Sequence, residues 1–225
     1  MTSRPPPSMR TIGNVQDAHT RIVLVRHGEP VVATLGIVGG PLGDTGLTDA
    51  GRAQVRCLAD RLGTSLELGV VTALYSSTLP RAVETARLLA PAFGGLEVRE
   101  RRDLREHDPG ELDGLTWAEA AERFRMVDFD TEPDLPVGPG GESLTVFHER
   151  ARRAIESLGD DHAGETVVVA CHGGIVAAAV GLVFGLAVSA RVVLPTRYAS
   201  MTELERTKKG WRLGRYNDRY PVTDV

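Results

Sequence analysis

The sequence predicts an α/β fold in which helices cover both faces of a mostly parallel sheet. Three observations lead there. Short apolar, β-branched runs alternate with stretches of helical periodicity along nearly the whole chain. Two of the runs, residues 21–25 and 166–170, are continuous enough in apolar side chains to be strands buried on both faces. Each of these two runs leads straight into a histidine motif, Arg26-His27-Gly28-Glu29 and Cys171-His172-Gly173-Gly174. Both histidines therefore fall at the carboxyl edge of the sheet, where open α/β folds bind their ligands.

Taken in order, the strand at 21–25 is followed by a glycine-rich loop over 36–46. A helix then opens behind Thr48 as N-cap, with Val55, Leu58, Ala59 and Leu62 on one face. Residues 70–75 read as a second strand, and 79–90 as a helix that tolerates Pro80 in its first turn. Residues 96–98 are a short strand candidate. The charged, turn-rich stretch 101–114 reads as a loop over the sheet edge, 117–124 as a helix, and 128–141, rich in proline and glycine, as irregular. A long amphipathic helix is expected over 143–158, then the strand ending at Ala170 and a helix of small residues from Gly173. Weaker strands are expected at 191–193, 200–204 and 211–213. There is no internal repeat and no linker, so residues 21–225 are expected to form a single domain, with 101–142 as an insertion capping the sheet edge.

A chain of 225 residues with 42% hydrophobic residues can bury a full core. Its formal net charge of −4 gives no general attraction to nucleic acid or to anionic lipid, so any anion site must be a local basic pocket. Cys57 and Cys171 are too few for a disulfide framework or a zinc site and read as two buried thiols. No apolar stretch is long enough to favour a membrane span. Residues 1–20 carry Arg4-Pro5-Pro6-Pro7 and no apolar core, and read as a disordered extension rather than a signal peptide. A cytoplasmic location is the expectation that follows.

Two imidazoles and an arginine on one sheet edge suit a phosphate pocket. His27 can attack phosphorus through one ring nitrogen while an acceptor holds the other as N–H. Arg26 can reach the same ligand if strand alternation breaks at Gly28. Arg81, in the first helical turn after Ser76-Ser77-Thr78, is unfavourable with the helix dipole unless an anion occupies the helix entrance. His172, before Gly173 and Gly174, can donate to phosphoryl oxygen while the glycines let backbone N–H groups approach. A carboxylate must protonate the leaving group; Glu106, Asp108, Glu111 and Asp113 are candidates that spacing does not separate. A cysteine phosphatase loop is excluded because Ala177 stands where Cys-x5-Arg needs arginine. Gly39-Gly40-Pro41-Leu42-Gly43 lacks the ending of a nucleotide P-loop. Glu106-His107-Asp108 has no further ligand pair for a metal, and no metal site is expected.

Together these residues resemble the histidine phosphatase superfamily, in the branch related to cofactor-dependent phosphoglycerate mutases. The likeness runs from Arg21 to about Asn217. It comprises Arg26-His27-Gly28-Glu29; Leu47-Thr48 with Gly51 and Gln54; Ser77 through Arg81-Ala82 with Glu84-Thr85-Ala86; Leu104-Arg105-Glu106 with Gly110 and Gly114; Gly141-Glu142-Ser143; and His172-Gly173. Each is weak alone, whereas six in family order are specific. The resemblance implies a three-layer α/β/α sandwich, His27 as the phosphorylated nucleophile, and Arg26, Arg81, His172 and Gly173 around the phosphate. It selects Glu106 as proton donor and implies no cofactor. Similar proteins place an asparagine several residues after the nucleophile; here Ala33 and Thr34 stand in that zone, and Thr34 is the substitute.

Mutases of this kind carry Glu-Arg-His-Tyr-Gly at the acid, a nearby lysine and a later arginine pair. This chain has Glu106-His107-Asp108-Pro109-Gly110, with Trp117 near the lysine's place, and no lysine or arginine between Met126 and Glu142. A phosphomonoesterase acting on a small phosphate ester through phosphohistidine is thus expected, ahead of phosphoglycerate mutase-type transfer or a catalytically silent phosphate-binding module. Trp117, Phe124 and Phe129 read as core residues of the cap rather than as a face for the leaving group. The identity of the ester and the oligomeric state are not legible at this level.

Overall fold

The computed structural model describes residues 19–191 and 193–219. Its centre is a six-stranded sheet in the order β3-β2-β4-β1-β5-β6. The strands are β1 (Thr20–Arg26), β2 (Val71–Ser77), β3 (Val98–Arg101), β4 (Thr166–Cys171), β5 (Met201–Thr207) and β6 (Gly210–Asp218). The helices are α1 (Val31–Leu35), α2 (Asp49–Thr64), α3 (Pro80–Leu89), α4 (Trp117–Arg123), α5 (Leu144–Asp161) and α6 (Gly173–Val183). β5 alone runs against the others: β3, β2, β4 and β1 pair in parallel, and the β5–β6 hairpin joins antiparallel to β1.

Strand alternation divides the core into the two faces of a three-layer sandwich. Ile22 and Leu24 of β1, with Val167 and Val169 of β4, pack under α5 and α6 against Phe147, Ile155, Leu158 and Ile175. Val23, Val25 and Val168 face the other way, under α2 and α3, against Val55, Leu58, Leu62 and Leu89. β1 and β4 are thus covered on both sides, as their continuous apolar runs require. They lie side by side, and the pairing of Arg26 with Cys171 brings the two histidine motifs level at the same edge.

Local chemistry sets most of the boundaries. Thr48 caps α2 through the N–H of Gly51, and Ser143 caps α5 through that of Val146. Thr116 and Glu119 form a reciprocal capping box on α4. Several expectations are corrected. β3 lies at 98–101 rather than 96–98, fixed by pairing of Leu74 with Val98 and Ser77 with Arg101. Arg191 and Val193 are outside any strand, and Val192 lies outside the described residues. The short α1, between the first motif and the glycine-rich loop, was not anticipated; it has no side-chain cap and ends on Gly36 in left-handed backbone. Cys57 is only partly buried, whereas Cys171 is fully so. The extension expected at 1–20 falls outside the described residues up to 18, and Thr20 already belongs to β1, where its hydroxyl accepts the Gly164 N–H.

Residues 102–142 connect β3 to α5, and within them Glu106 accepts the N–H of Gly174 in the first turn of α6. This segment makes a small apolar core in which Leu112, Ala120, Leu115, Phe124 and Val137 surround Val38. Arg150 of α5 ties it down by donating to the carbonyls of Asp103 and Arg105, while its guanidinium meets both oxygens of Glu142 at 2.6 and 2.7 Å. Among the described residues, no helix is long and apolar enough to cross a membrane.

Candidate active site

His27 is the first residue after β1, and its N–H still joins the sheet through the Cys171 carbonyl. The turn that follows is built by close backbone contact. A Cβ on Gly28 would lie 2.5 Å from the Gly51 carbonyl oxygen, and one on Gly51 would lie 2.2 Å from that of Glu29. Side chains around the turn fix it further: Thr85 Oγ1 accepts the Gly28 N–H, Gln54 Oε1 accepts the Glu29 N–H, and Thr48 Oγ1 donates to Glu29 Oε1 at 2.8 Å. Glu29, Thr48, Gly51, Gln54 and Thr85 therefore serve to hold the backbone that aims His27.

The imidazole is 4% exposed, and its tautomer follows from its partners. Nδ1 lies 2.7 Å from the carbonyl oxygen of Gly28, which can only accept, so Nδ1 carries the hydrogen. Nε2 then has its lone pair outward and accepts from Arg81 Nε at 3.2 Å. Burial, then the positive charge of Arg81 and, more weakly, Arg26, hold the pKa of His27 well below the ordinary histidine value; the Gly28 hydrogen bond opposes them without reversing the shift. The ring is neutral at physiological pH, with an available lone pair on Nε2.

Arg81, 5% exposed, reaches this position because Asp44 holds it. Asp44 Oδ2 accepts the Arg81 backbone N–H at 3.2 Å and its Nη1–H at 2.9 Å, and Nη1 also donates to the Gly39 carbonyl. The anion expected at the entrance of α3 is thus supplied in part by the chain's own carboxylate. Asp44 was absent from the sequence-derived set, since a lone aspartate in a glycine-rich turn carries no distinguishing signal. Arg26 lies over the Tyr198 ring, 4.3 Å from its centroid, and donates to the Thr196 carbonyl.

The His172 ring centroid is 5.2 Å from that of His27. His172 Nε2 lies 2.8 Å from Ser77 Oγ, which also accepts the Leu79 N–H. His172 Nδ1 and Arg26 Nε are buried and have no protein partner. A donor left so costs about 1–3 kcal/mol, so each atom favours an acceptor. His172 too has its pKa well below the ordinary value, through burial first and then Arg81.

His27, Arg26, Arg81 and Glu106 line one cleft of about 340 Å3. Of the four candidate acids, Glu106 is the one brought there. Asp113 is committed elsewhere, accepting the N–H groups of Gly40, Leu42 and Gly43. Asp108 accepts the Gly110 N–H and faces a neighbouring cavity, while Glu111 is exposed. Glu106 is held by the N–H groups of Gly174 at 3.0 Å and His107 at 3.1 Å. This revises the role of the glycine pair: the Gly174 N–H serves Glu106, and a Cβ at 174 would come within 2.1 Å of Glu106 Oε1. Gly173 opens α6 beside Arg26, its Cβ direction 3.6 Å from Arg26 Nε. Thr34 is not brought to the cleft: it is exposed and its hydroxyl donates to Val31 in its own helical turn, while the adjacent Ala33 lines the cleft instead.

Cys171 takes no part, because burial raises its thiol pKa and disfavours the thiolate. Trp117 and Phe129, expected in the cap core, line the cleft, whereas Phe124 belongs to the core of residues 102–142. Among the described residues, no group of three or more histidine, cysteine, aspartate or glutamate side chains converges as metal ligands do.

A sequence profile described as "Histidine phosphatase superfamily (branch 1)" matches residues 22–219. The chain is 40% identical over 163 residues to Phosphoglycerate mutase-like protein 4 of Arabidopsis thaliana, covering 70% of this chain and 68% of that one. It is 37% identical over 167 residues to the Metal-independent phosphoserine phosphatase of the same plant, covering 73% and 68%. Among solved structures, a mycobacterial glucosyl-3-phosphoglycerate phosphatase in complex with VO3 superposes with a TM-score of 0.74 at 29% identity, covering 88% of this chain and 99% of that one.

Proposed function

The chain belongs to the histidine phosphatase superfamily, and on that premise we propose that it is a metal-independent phosphomonoesterase working through phosphohistidine on His27. The observation that carries this reading is the state of His27: neutral, fixed through Nδ1–H on Gly28, and presenting Nε2 to a cleft that also holds two arginines and a carboxyl group. A pure phosphate binder has no use for a buried, neutral imidazole or for Glu106.

In the first step the Nε2 lone pair forms a bond to phosphorus as the ester P–O bond breaks. Arg81, Arg26 and His172 Nδ1–H take the charge on the phosphoryl oxygens. The His172 N–H is free for this when Ser77 Oγ, which already accepts from Leu79, donates its own hydrogen to His172 Nε2. Glu106 supplies a proton to the departing alkoxide. In the second step Glu106, now a carboxylate, takes a proton from water as the water oxygen attacks phosphorus. The P–N bond breaks and orthophosphate leaves. Residues 21–225 act as one domain, with 101–142 as the cap that brings the acid and the leaving-group wall.

The phosphatase names of the relatives support hydrolysis of a small phosphate ester. Water is the acceptor in this reading because, among the described residues, no lysine or arginine beyond Arg26 and Arg81 lines the cleft to seat a second phosphate. The deciding experiment is phosphate release from p-nitrophenyl phosphate with EDTA present, for wild type and His27→Ala. Turnover that survives EDTA and vanishes in the variant is expected. Absence of turnover in wild type, or its persistence in His27→Ala, overturns the reading.

A further inference from the structure

The cleft that holds His27 has two unlike ends. At the phosphoryl end stand Arg26, Arg81 and Glu106. Tyr198 stands there too, under the Arg26 guanidinium, and the rest of the lining includes Trp117, Phe129, Ile37, Leu112 and Val137. Trp117 is held at its backbone by donation to the Gly36 carbonyl and by the Ile37–Thr116 bridge, yet the residue stays 53% exposed. Phe129 lies 5.3 Å from the His107 ring, centroid to centroid, and His107 Nε2 is itself taken up by donation to the Glu142 carbonyl. Two aromatic side chains thus face the space beyond the phosphoryl group, one of them with half its surface uncovered, and a flat apolar group placed there removes that surface from water.

Charge points the same way. Among the described residues, Arg26 and Arg81 are the lysine or arginine side chains that line the cleft, and both stand beside His27. Arg102, Arg105 and Arg150 line an adjoining cavity that shares Glu106, His107 and Pro109 with the cleft; there Arg105 donates to Thr78 and Arg150 is taken up by Glu142 and loop carbonyls. The segment that bears Phe129 carries Asp128, Asp130, Glu132 and Asp134 and no lysine or arginine of its own, and the arginines that reach it, Arg191 at Asp130 and Arg125 at Glu132, are each paired with a carboxylate. A carboxylate on the leaving group would leave water for an apolar wall that, among the described residues, no lysine or arginine lines.

Building on the phosphatase reading, we propose that the substrate is the phosphate monoester of an uncharged, flat apolar alcohol, of aryl or arylalkyl type, with Trp117 as the residue that selects it. The relation is one of recognition and not of leaving-group reactivity, so the test uses non-hydrolysable ligands and esters of ordinary alcohols.

Calorimetric titration of the whole protein with benzylphosphonate and with 3-phosphonopropionate reads recognition directly. Benzylphosphonate is expected to bind at least about tenfold more tightly, the scale of one apolar contact in a pocket. Trp117→Ala should bring the two ligands to within about twofold, by weakening benzylphosphonate alone, and Trp117→Phe should restore most of the preference. Equal or tighter binding of the carboxylate ligand overturns the proposal, as does a preference that survives Trp117→Ala. Turnover of benzyl phosphate against 3-phosphoglycerate separates the two levels. Release of phosphate from neither ester and none from p-nitrophenyl phosphate removes the phosphatase reading, with the titration still deciding recognition, whereas release from p-nitrophenyl phosphate alone keeps that reading and discards the arylalkyl substrate. Faster kcat/KM on 3-phosphoglycerate keeps that reading and discards the apolar substrate class.

Discussion

One carboxylate oxygen of Asp44 accepts both the backbone N–H and the guanidinium of Arg81, and the same guanidinium donates to His27 Nε2. The pair is buried on both sides, with side-chain exposures of 6% for Arg81 and 0% for Asp44. Asp44 thereby sets the position of the cation that faces the nucleophile without itself lining the cleft.

Asp44→Asn keeps an acceptor but removes the charge that holds Arg81. The expected result is a loss of roughly 2–4 kcal/mol in stability, as for a buried charge deprived of its partner. A fall of about 10- to 100-fold in kcat/KM should accompany it as Arg81 loses its alignment. Denaturant unfolding and steady-state kinetics measure the two. An unchanged kcat/KM would show that Arg81 holds its place without Asp44.

Arg81→Ala removes the donor itself. Loss of one charge-assisted contact to the phosphoryl group should reduce kcat/KM by roughly 2–4 kcal/mol of transition-state stabilisation. Affinity for inorganic phosphate, measured as product inhibition, should weaken alongside it. Wild-type hydrolysis would sink the assignment.

Glu106→Gln should slow alkyl phosphates far more than aryl phosphates, whose leaving groups need little protonation. Gly174→Ala tests the same acid by displacement, because its Cβ would meet Glu106 Oε1 at 2.1 Å and Phe147 at 2.8 Å. The two variants should share one pattern of alkyl-selective loss. Equal losses on both ester classes would place the proton with another group.

The pH dependence has a defined sign. His27 and His172 have folded-state pKa values below the ordinary 6.5 because burial and then Arg81 disfavour the imidazolium. The unfolded chain therefore binds more protons in the window below about 6.5, and stability falls there as pH is lowered, by up to about 1.4 kcal/mol per pH unit for each histidine. Above about 6.5 both states hold these rings neutral and the contribution is constant. The limb of kcat/KM that reports protonation of His27 should accordingly lie below 6.5. Urea titrations and rate profiles across the acidic range check both statements. A His27 limb above 6.5 contradicts them.

Much of the fold is legible where local chemistry and tertiary context agree. β1 and β4 show as unbroken apolar runs because both their faces are buried, and Thr48 and Ser143 show as caps because the cap bond is local. β3 is displaced from its expected place because Arg99 and Glu100 are exposed and only pairing with β2 makes them a strand. The five-residue α1 escaped notice for want of a capping side chain. Phe124 and Trp117, seven residues apart, look alike in sequence; one is cap core and the other lines the cleft.

The sequence by itself determined that His27 and His172 each follow a buried strand, that Arg81 opens a helix, and that the motifs stand in the order of the histidine phosphatase superfamily. These are statements about neighbours along the chain, and short-range propensity carries them. Only the tertiary structure decided how Glu106 is held, that Asp44 aims Arg81, that Thr34 stays outside, and that the Gly174 N–H is spent on Glu106. Each of these depends on groups tens of residues apart meeting at hydrogen-bond distance. That outcome is set by how the sheet and the 102–142 segment pack together, and no local pattern records it.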